Sequence, residues 1–161
     1  TNLNIELEML QVNLGCLTHL TKLYLKDMIE KGDGKILNVA SAAAFQPGPL
    51  MAVYFATKAY VLSFSEAIAN ELEGTGVSVT VLCPGTTASA FHERTGMADS
   101  KLVKRKKMMD AKTVAQIGYH ALIKRRTLVI PGLMNKFLAK IVRLVPRKLV
   151  PKIVRSMQED K

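Results

Sequence analysis

The sequence predicts an α/β fold, a short parallel sheet covered by helices, on three observations. Long segments with helical apolar spacing alternate with short β-rich runs in the order helix, strand, helix, strand, helix, strand. The boundaries between them carry Gly32-Asp33-Gly34, Gly74-Thr75-Gly76 and Pro131-Gly132, residues that end helices and turn the chain. Only about three strands are available, so the sheet is partial, smaller than a doubly wound sheet normally is.

The first helix is expected over residues 5–31, where Leu7, Leu10, Val12, Leu14, Leu17, Leu20, Leu23 and Leu25 recur with few breakers. Lys35 to Ser41 follows as a buried parallel strand, with Ser41 at its C-terminal end, the edge where open α/β sheets place their ligands. Pro47, Gly48 and Pro49 make residues 42–52 a loop. A second helix is expected from Val53 to Glu73, and the valine-rich alternation of Val77 to Leu82 reads as the second strand. Residues 84–110 are polar and charged without strong periodicity, the character of a lid. A helix over Thr113 to Lys124 and a short strand over Thr127 to Ile130 complete the pattern.

At 161 residues and 48% hydrophobic content the chain is sized for one domain, residues 1–131, followed by a basic tail over 132–161. The net charge of +10 is unevenly placed: residues 1–100 sum to about −4, 101–131 to about +8 and 132–161 to about +6. Such basicity suits an anionic lipid surface or an acidic substrate, or is simply a solvated face with a lysine cluster at Lys104-Arg105-Lys106-Lys107. Nucleic acid is not expected as a partner, because there is no tryptophan and few aromatics lie near the basic runs to stack on bases. Cys16 and Cys83 both lie in apolar patterns and read as buried thiols of a reducing, cytoplasmic compartment, with neither a disulfide nor a metal site expected. Thr1 rather than Met opens the chain, so its beginning is read as artificial.

Tyr54 and Lys58 stand four residues apart at the start of the second helix, which puts both on one face with the ammonium able to approach the phenol oxygen. A nearby positive charge favours phenolate and is expected to lower the tyrosine pKa toward a value useful for proton transfer. Alone, the pair is weak evidence, since a tyrosine and lysine at this spacing are usually a half-buried ring beside a solvated charge. Ser41 is placed to reach the same point and donate a hydrogen bond, or else is an ordinary capping serine. Asn13 is polar within an apolar helical stretch and must find partners if buried.

Jointly, Val12-Asn13, Asn38-Val39-Ala40-Ser41, Tyr54-Phe55-Ala56-Thr57-Lys58 and Cys83-Pro84-Gly85, in this order and spacing, resemble the short-chain dehydrogenase/reductase family. The resemblance runs from residue 1 to about 132 and corresponds to the C-terminal part of the family's usual domain. It implies a Rossmann-like sheet and carbonyl or alcohol redox chemistry with NAD or NADP. By the same resemblance Tyr54 is the general acid or base, Lys58 depresses its pKa and holds the nicotinamide ribose, Ser41 positions the carbonyl and Asn13 supports a proton relay. Pro84, Gly85, Thr86 and Thr87 are implied to line the nicotinamide pocket, with Ser89 where the family commonly has threonine. The family's Thr-Gly-x-x-x-Gly-x-Gly turn, its adenosine-ribose selector and its Asn-Asn-Ala-Gly segment have no counterpart here. The N-terminal dinucleotide-binding half is therefore read as missing, the chain as a fragment inactive alone, and the choice of NAD or NADP as open.

The missing strands are expected to leave an exposed sheet edge, which self-association would cover. The family resemblance implies that helices 5–31 and 53–73 form a dimer interface. In the tail, Leu133, Phe137, Leu138, Ile141, Val145, Leu149, Ile153 and Met157 interleave with seven basic residues, and Pro146 and Pro151 divide it into short pieces. Such a segment packs on the domain, covers a substrate or lies on an anionic membrane. A second reading of the whole chain is a non-enzymatic module that dimerises through its long helices and binds a membrane or partner through the tail.

Overall fold

The computed structural model describes residues 2–88 and 108–159. Of the expected site residues, Ser89 lies outside them, as does most of the expected lid.

The first helix is one helical rod in three parts: α1 (Leu3–Leu10), a π-helical segment (Gln11–Cys16) and α2 (Leu17–Lys31). Asn2 caps its start, its side chain accepting from the Asn4 N–H at 2.9 Å, and Gly32 ends it in the left-handed conformation at φ 67°. The π segment was not anticipated, because the apolar residues Leu10, Val12, Leu14 and Leu17 run through it without a break. Cys16 lies at its end and is exposed, which corrects the expectation of a buried thiol; Cys83 is fully buried.

Strand β1 (Gly34–Val39) is followed by a 3-10 turn (Ala42–Phe45) and then by α3 (Ala52–Glu71). Strand β2 (Val77–Leu82) pairs in parallel with β1 from Gly34↔Val77 to Val39↔Leu82. Two short strands, β3 (Thr87–Ala88) and β4 (Met109–Asp110), pair with each other in parallel, and α4 (Ala111–Ile123) follows, capped by Asp110. Strand β5 (Leu128–Val129) pairs in parallel with the other side of β2, giving the order β1-β2-β5. The tail forms α5 (Leu133–Ile141) and α6 (Val150–Gln158). Pro151 sits in the first turn of α6, where a missing N–H costs nothing, so it opens this helix while the preceding Pro146 keeps the two helices apart.

Strand β2 is central, and both of its faces are covered. Val77, Val79 and Val81 pack with residues of α2 and α3, among them Leu25, Val61, Leu62, Ile68 and Leu72. Leu82 faces α4, where Gly118 permits close approach: a Cβ there would stand 2.8 Å from the Leu82 side chain. Asn38 is buried and spends its amide on Ser65 of α3 at 2.9 Å, as a buried polar group must. At the bottom of the sheet, Gly76 at φ 80° brings the β2 turn against the Gly32 carbonyl, leaving no room for a Cβ. Among the described residues no helix is long and apolar enough to cross a membrane.

Candidate active site

The site lies at the C-terminal edge of the sheet, where β1 and β2 release their chains side by side. The Ala40 N–H donates to the Leu82 carbonyl and the Ala42 N–H to the Pro84 carbonyl, each at 2.8 Å. These two bonds hold Ser41 next to the Pro84-Gly85-Thr86-Thr87 loop. Ser41 also caps the 3-10 turn, its Oγ accepting the Ala43 N–H at 3.1 Å, so the capping role and a place in the site coexist in one residue.

Tyr54 enters from the first turn of α3 and Lys58 from the next. Lys58 Nζ lies 5.8 Å from the Tyr54 ring centroid and donates to the Val39 carbonyl at 3.2 Å. Ser41 and Tyr54 border the same cavity, and the Ser41 side chain favours the ionised phenol. Burial pushes the Tyr54 phenol above its ordinary value, and Ser41 offsets this only in part. This reverses the expected direction: desolvation of the phenolate is the largest effect on Tyr54, and Ser41 rather than Lys58 is the group that opposes it. Burial likewise pushes the Lys58 ammonium down, opposed by the Cys83 sulfur. Tyr54 is thus held in its protonated, proton-donating form.

Asn13 sits in the π segment, and its Nδ2 donates to Thr57 Oγ1 at 3.1 Å. Thr57, fully buried, donates in turn to the Tyr54 carbonyl at 2.8 Å. This chain braces the turn of α3 that carries Tyr54. Thr57 was missed by sequence reasoning because a threonine inside a helix has no outward sign of such a role. The π segment had one signal, the poor helix formers Asn13 and Gly15 close together inside an otherwise strong helix.

Asn13, Ser41, Tyr54, Lys58, Pro84, Gly85, Thr86 and Thr87 all border one cavity of about 770 Å³. Its other described walls are largely apolar: Ile5 and Met9 of α1, Val12 of the π segment, Met51 and Phe55 around the start of α3, and Leu138, Ala139 and Met157 of the tail. Gln46, Asn135 and Gln158 add polar positions that the sequence did not suggest. Asn135 is tied down, its Nδ2 donating to the Pro131 carbonyl at 2.8 Å. Among the described residues no group of three or more His, Cys, Asp or Glu is arranged to hold a metal ion.

The model of the short chain dehydrogenase family matches residues 4–100, which carry Asn13, Ser41, Tyr54, Lys58 and the Pro84-Gly85 loop. The chain is a short chain dehydrogenase family member. Its similarity to the ketoacyl reductase HetN of Nostoc sp. is 35% identity over 106 residues, 66% of this chain and 35% of that protein. Among solved structures, a 7β-hydroxysteroid dehydrogenase shares the fold at a TM-score of 0.78 and 23% identity, over 91% of this chain and 57% of that one. A short-chain dehydrogenase from Sphingobium yanoikuyae in complex with NADPH gives a TM-score of 0.71 at 25% identity, covering 94% of this chain and 58% of that one. This short chain dehydrogenase chain therefore spans about a third of one curated relative and somewhat over half of the solved structures it matches.

Proposed function

We propose that the protein to which this chain belongs is an NAD(P)-dependent oxidoreductase that reduces an apolar ketone or oxidises the corresponding secondary alcohol. The observation that carries this reading is the meeting of Ser41 and Tyr54 in one largely apolar cavity, with Lys58 Nζ 5.8 Å from the phenol ring centroid. Family membership and the NADPH-bound structural relative support it.

The residues present fit one end of a nicotinamide dinucleotide. Tyr54, Lys58 and Thr86 offer donors suited to a ribose diol and a carboxamide, Thr87, whose hydroxyl donates to the Gly85 carbonyl at 3.0 Å, offers an acceptor, and the Pro84-Gly85 backbone offers a narrow wall for a flat ring. The sequence has no glycine-rich strand-to-helix turn, so the pyrophosphate and adenosine end is not provided for. We take the chain to be the C-terminal part of the catalytic domain, inactive alone, in a protein whose other part supplies that end. Bound there, the nicotinamide would supply or accept hydride. The side chains do the remaining work. Ser41 holds the carbonyl oxygen by a hydrogen bond, Tyr54 gives that oxygen its proton, and Lys58 stabilises the phenolate that results. Asn13, through Thr57, keeps the Tyr54 turn in place.

The test is nicotinamide-coupled ketone reduction by the full-length protein and its Tyr54→Phe variant. Loss of the proton donor should lower kcat by about 10²-fold or more, with the fold intact by circular dichroism. Unchanged turnover overturns the assignment.

A second reading draws on the surface: Leu133, Met134, Phe137 and Leu144 of the tail are 57–83% exposed among basic residues. In that reading the chain is a non-enzymatic module that rests on an anionic membrane. Co-sedimentation with phosphatidylserine vesicles separates the two, since this reading requires vesicle binding that disappears on deletion of residues 132–161. Equal sedimentation of both forms removes it.

A further inference from the structure

Asn135, in the first turn of α5, borders the cavity that holds Tyr54 and Ser41. A Cβ on Gly85 would lie 2.4 Å from its Nδ2 and 2.7 Å from its Oδ1, so the amide rests on Gly85. Gly85 follows Pro84, whose carbonyl accepts the N–H of Ala42, the residue after Ser41, at 2.8 Å. Asn135 is thus tied by short steps to the serine of the site. Its Nδ2 donates to the Pro131 carbonyl at 2.8 Å, which fixes the amide, while Oδ1 has no partner among the described residues. The described side-chain atoms that are closed off from solvent without a partner belong to Ser78, Thr80 and Gln158, so the Asn135 oxygen stays open. An amide anchored at one atom and open at the other is a preorganised acceptor, which gives up little freedom when a ligand binds.

We propose that Asn135 is a specificity-determining residue whose Oδ1 accepts a hydrogen bond from a substrate hydroxyl close to the reacting carbonyl. The substrate class is then the α- or β-hydroxy ketones and the diols they form. The inference rests on the redox reading of the cavity. With Nδ2 engaged, the open atom of the amide is an acceptor and calls for a donor. A neutral hydroxyl suits it better than an ammonium, because a neutral amide repays little of the cost of taking a charge out of water. The place of the hydroxyl follows from the fold: Asn135 rests on Gly85, and the Ser41 turn is bonded to Pro84, so both groups act from one two-residue stretch of backbone. A ketone without the hydroxyl leaves the acceptor unpaired, which is the situation that gives polar sites their strongest discrimination.

The experiment compares a 2-alkanone with its α-hydroxy, β-hydroxy and ω-hydroxy derivatives on the full-length protein, in two arms. In the first, binding is followed by saturation-transfer NMR without turnover. In the second, kcat and KM are measured with NADH and with NADPH. The α- or the β-hydroxyl should improve binding and lower KM by about tenfold, the worth of a good hydrogen bond, and the ω-hydroxyl should not. Asn135→Leu, similar in size but without an acceptor, should remove that preference through KM; Asn135→Ala takes its place if circular dichroism shows that the leucine variant does not fold. Asn135→Asp loses the bond to Pro131 as Asn135→Leu does, yet keeps an acceptor, so it should retain the preference. A merely structural role would lose it in both. Absence of a preference for the near hydroxyl, its survival in Asn135→Leu, or its loss in both variants overturns the proposal even if ketones are reduced. A preference in binding that Asn135→Leu removes and Asn135→Asp retains, without turnover of any of these ketones, sustains the Asn135 assignment and removes the redox reading instead.

Discussion

Cys83 shows how burial governs proton affinity in this site. Packed at the end of β2 with no exposed surface, its thiol is pushed up to about 12. Desolvation is the main cause, Glu66 adds to it, and the Ser41 backbone and Lys58 oppose it. The native chain therefore keeps this proton where the unfolded chain gives it up. Stability from this source is complete below about pH 9 and is lost as pH rises toward 12. We expect the stability advantage of the wild type over Cys83→Ala to shrink at about 1.4 kcal/mol per pH unit across that window. Urea midpoints from pH 8 to 11 test it, and a pH-independent difference would count against the burial argument. Tyr54 obeys the same physics: its spacing to Lys58 was readable from the sequence, but its raised pKa depends on how deeply α3 sinks into the site.

At the scale of elements, the tail is coupled to the sheet through Gly85 and Asn135. A Cβ on Gly85 would lie 2.4 Å from Asn135 Nδ2, and that nitrogen is already spent on the Pro131 carbonyl. Gly85→Ala should therefore displace Asn135, break its bond and loosen the start of α5, at a cost of about 1 kcal/mol or more. In an Asn135→Ala background the same substitution should cost much less. Thermal unfolding of the four proteins gives this coupling directly; additive losses would mean that the two residues do not meet. The glycine could be read from the Pro84-Gly85 pair in the sequence. Its partner could not, because Asn135 belongs to another element fifty residues on.

At the scale of the whole molecule, apolar surface is left uncovered on the first helix. Leu3, Ile5 and Leu7 of α1 and Leu20, Leu23 and Tyr24 of α2 are all more than half exposed. On α2 they lie apart from Thr21 and Leu25, which are buried, while Ile5 of α1 also borders the cavity. A face of this kind on a 161-residue chain is expected to be covered by a second copy or by the rest of the protein. Light scattering coupled to gel filtration should show a concentration-dependent dimer for the wild type and a monomer for Leu23→Asp. A wild-type monomer at all concentrations would rule out self-association through this face.

The element order, the parallel sheet and the i to i+4 pairing of Tyr54 with Lys58 could be read from the sequence because each rests on short-range chemistry, whereas the grouping of Asn13, Ser41 and the Pro84 loop with them was implied by the family resemblance. Period, turn residues and i to i+4 spacing need no knowledge of distant contacts. The π segment, the exposure of Cys16 and the bracing role of Thr57 could not be read this way. Nor could the direction of the Tyr54 shift, or the arrival of Asn135 and Gln158 in the cavity. Each of these depends on which surfaces meet after the chain has folded, since burial and hydrogen-bond satisfaction are properties of neighbours far apart in sequence. The sequence by itself determined the family and the order of the elements, because these rest on local pattern and motif; the tertiary structure decided which side chains meet in the cavity and how they are buried, because that depends on neighbours distant in sequence.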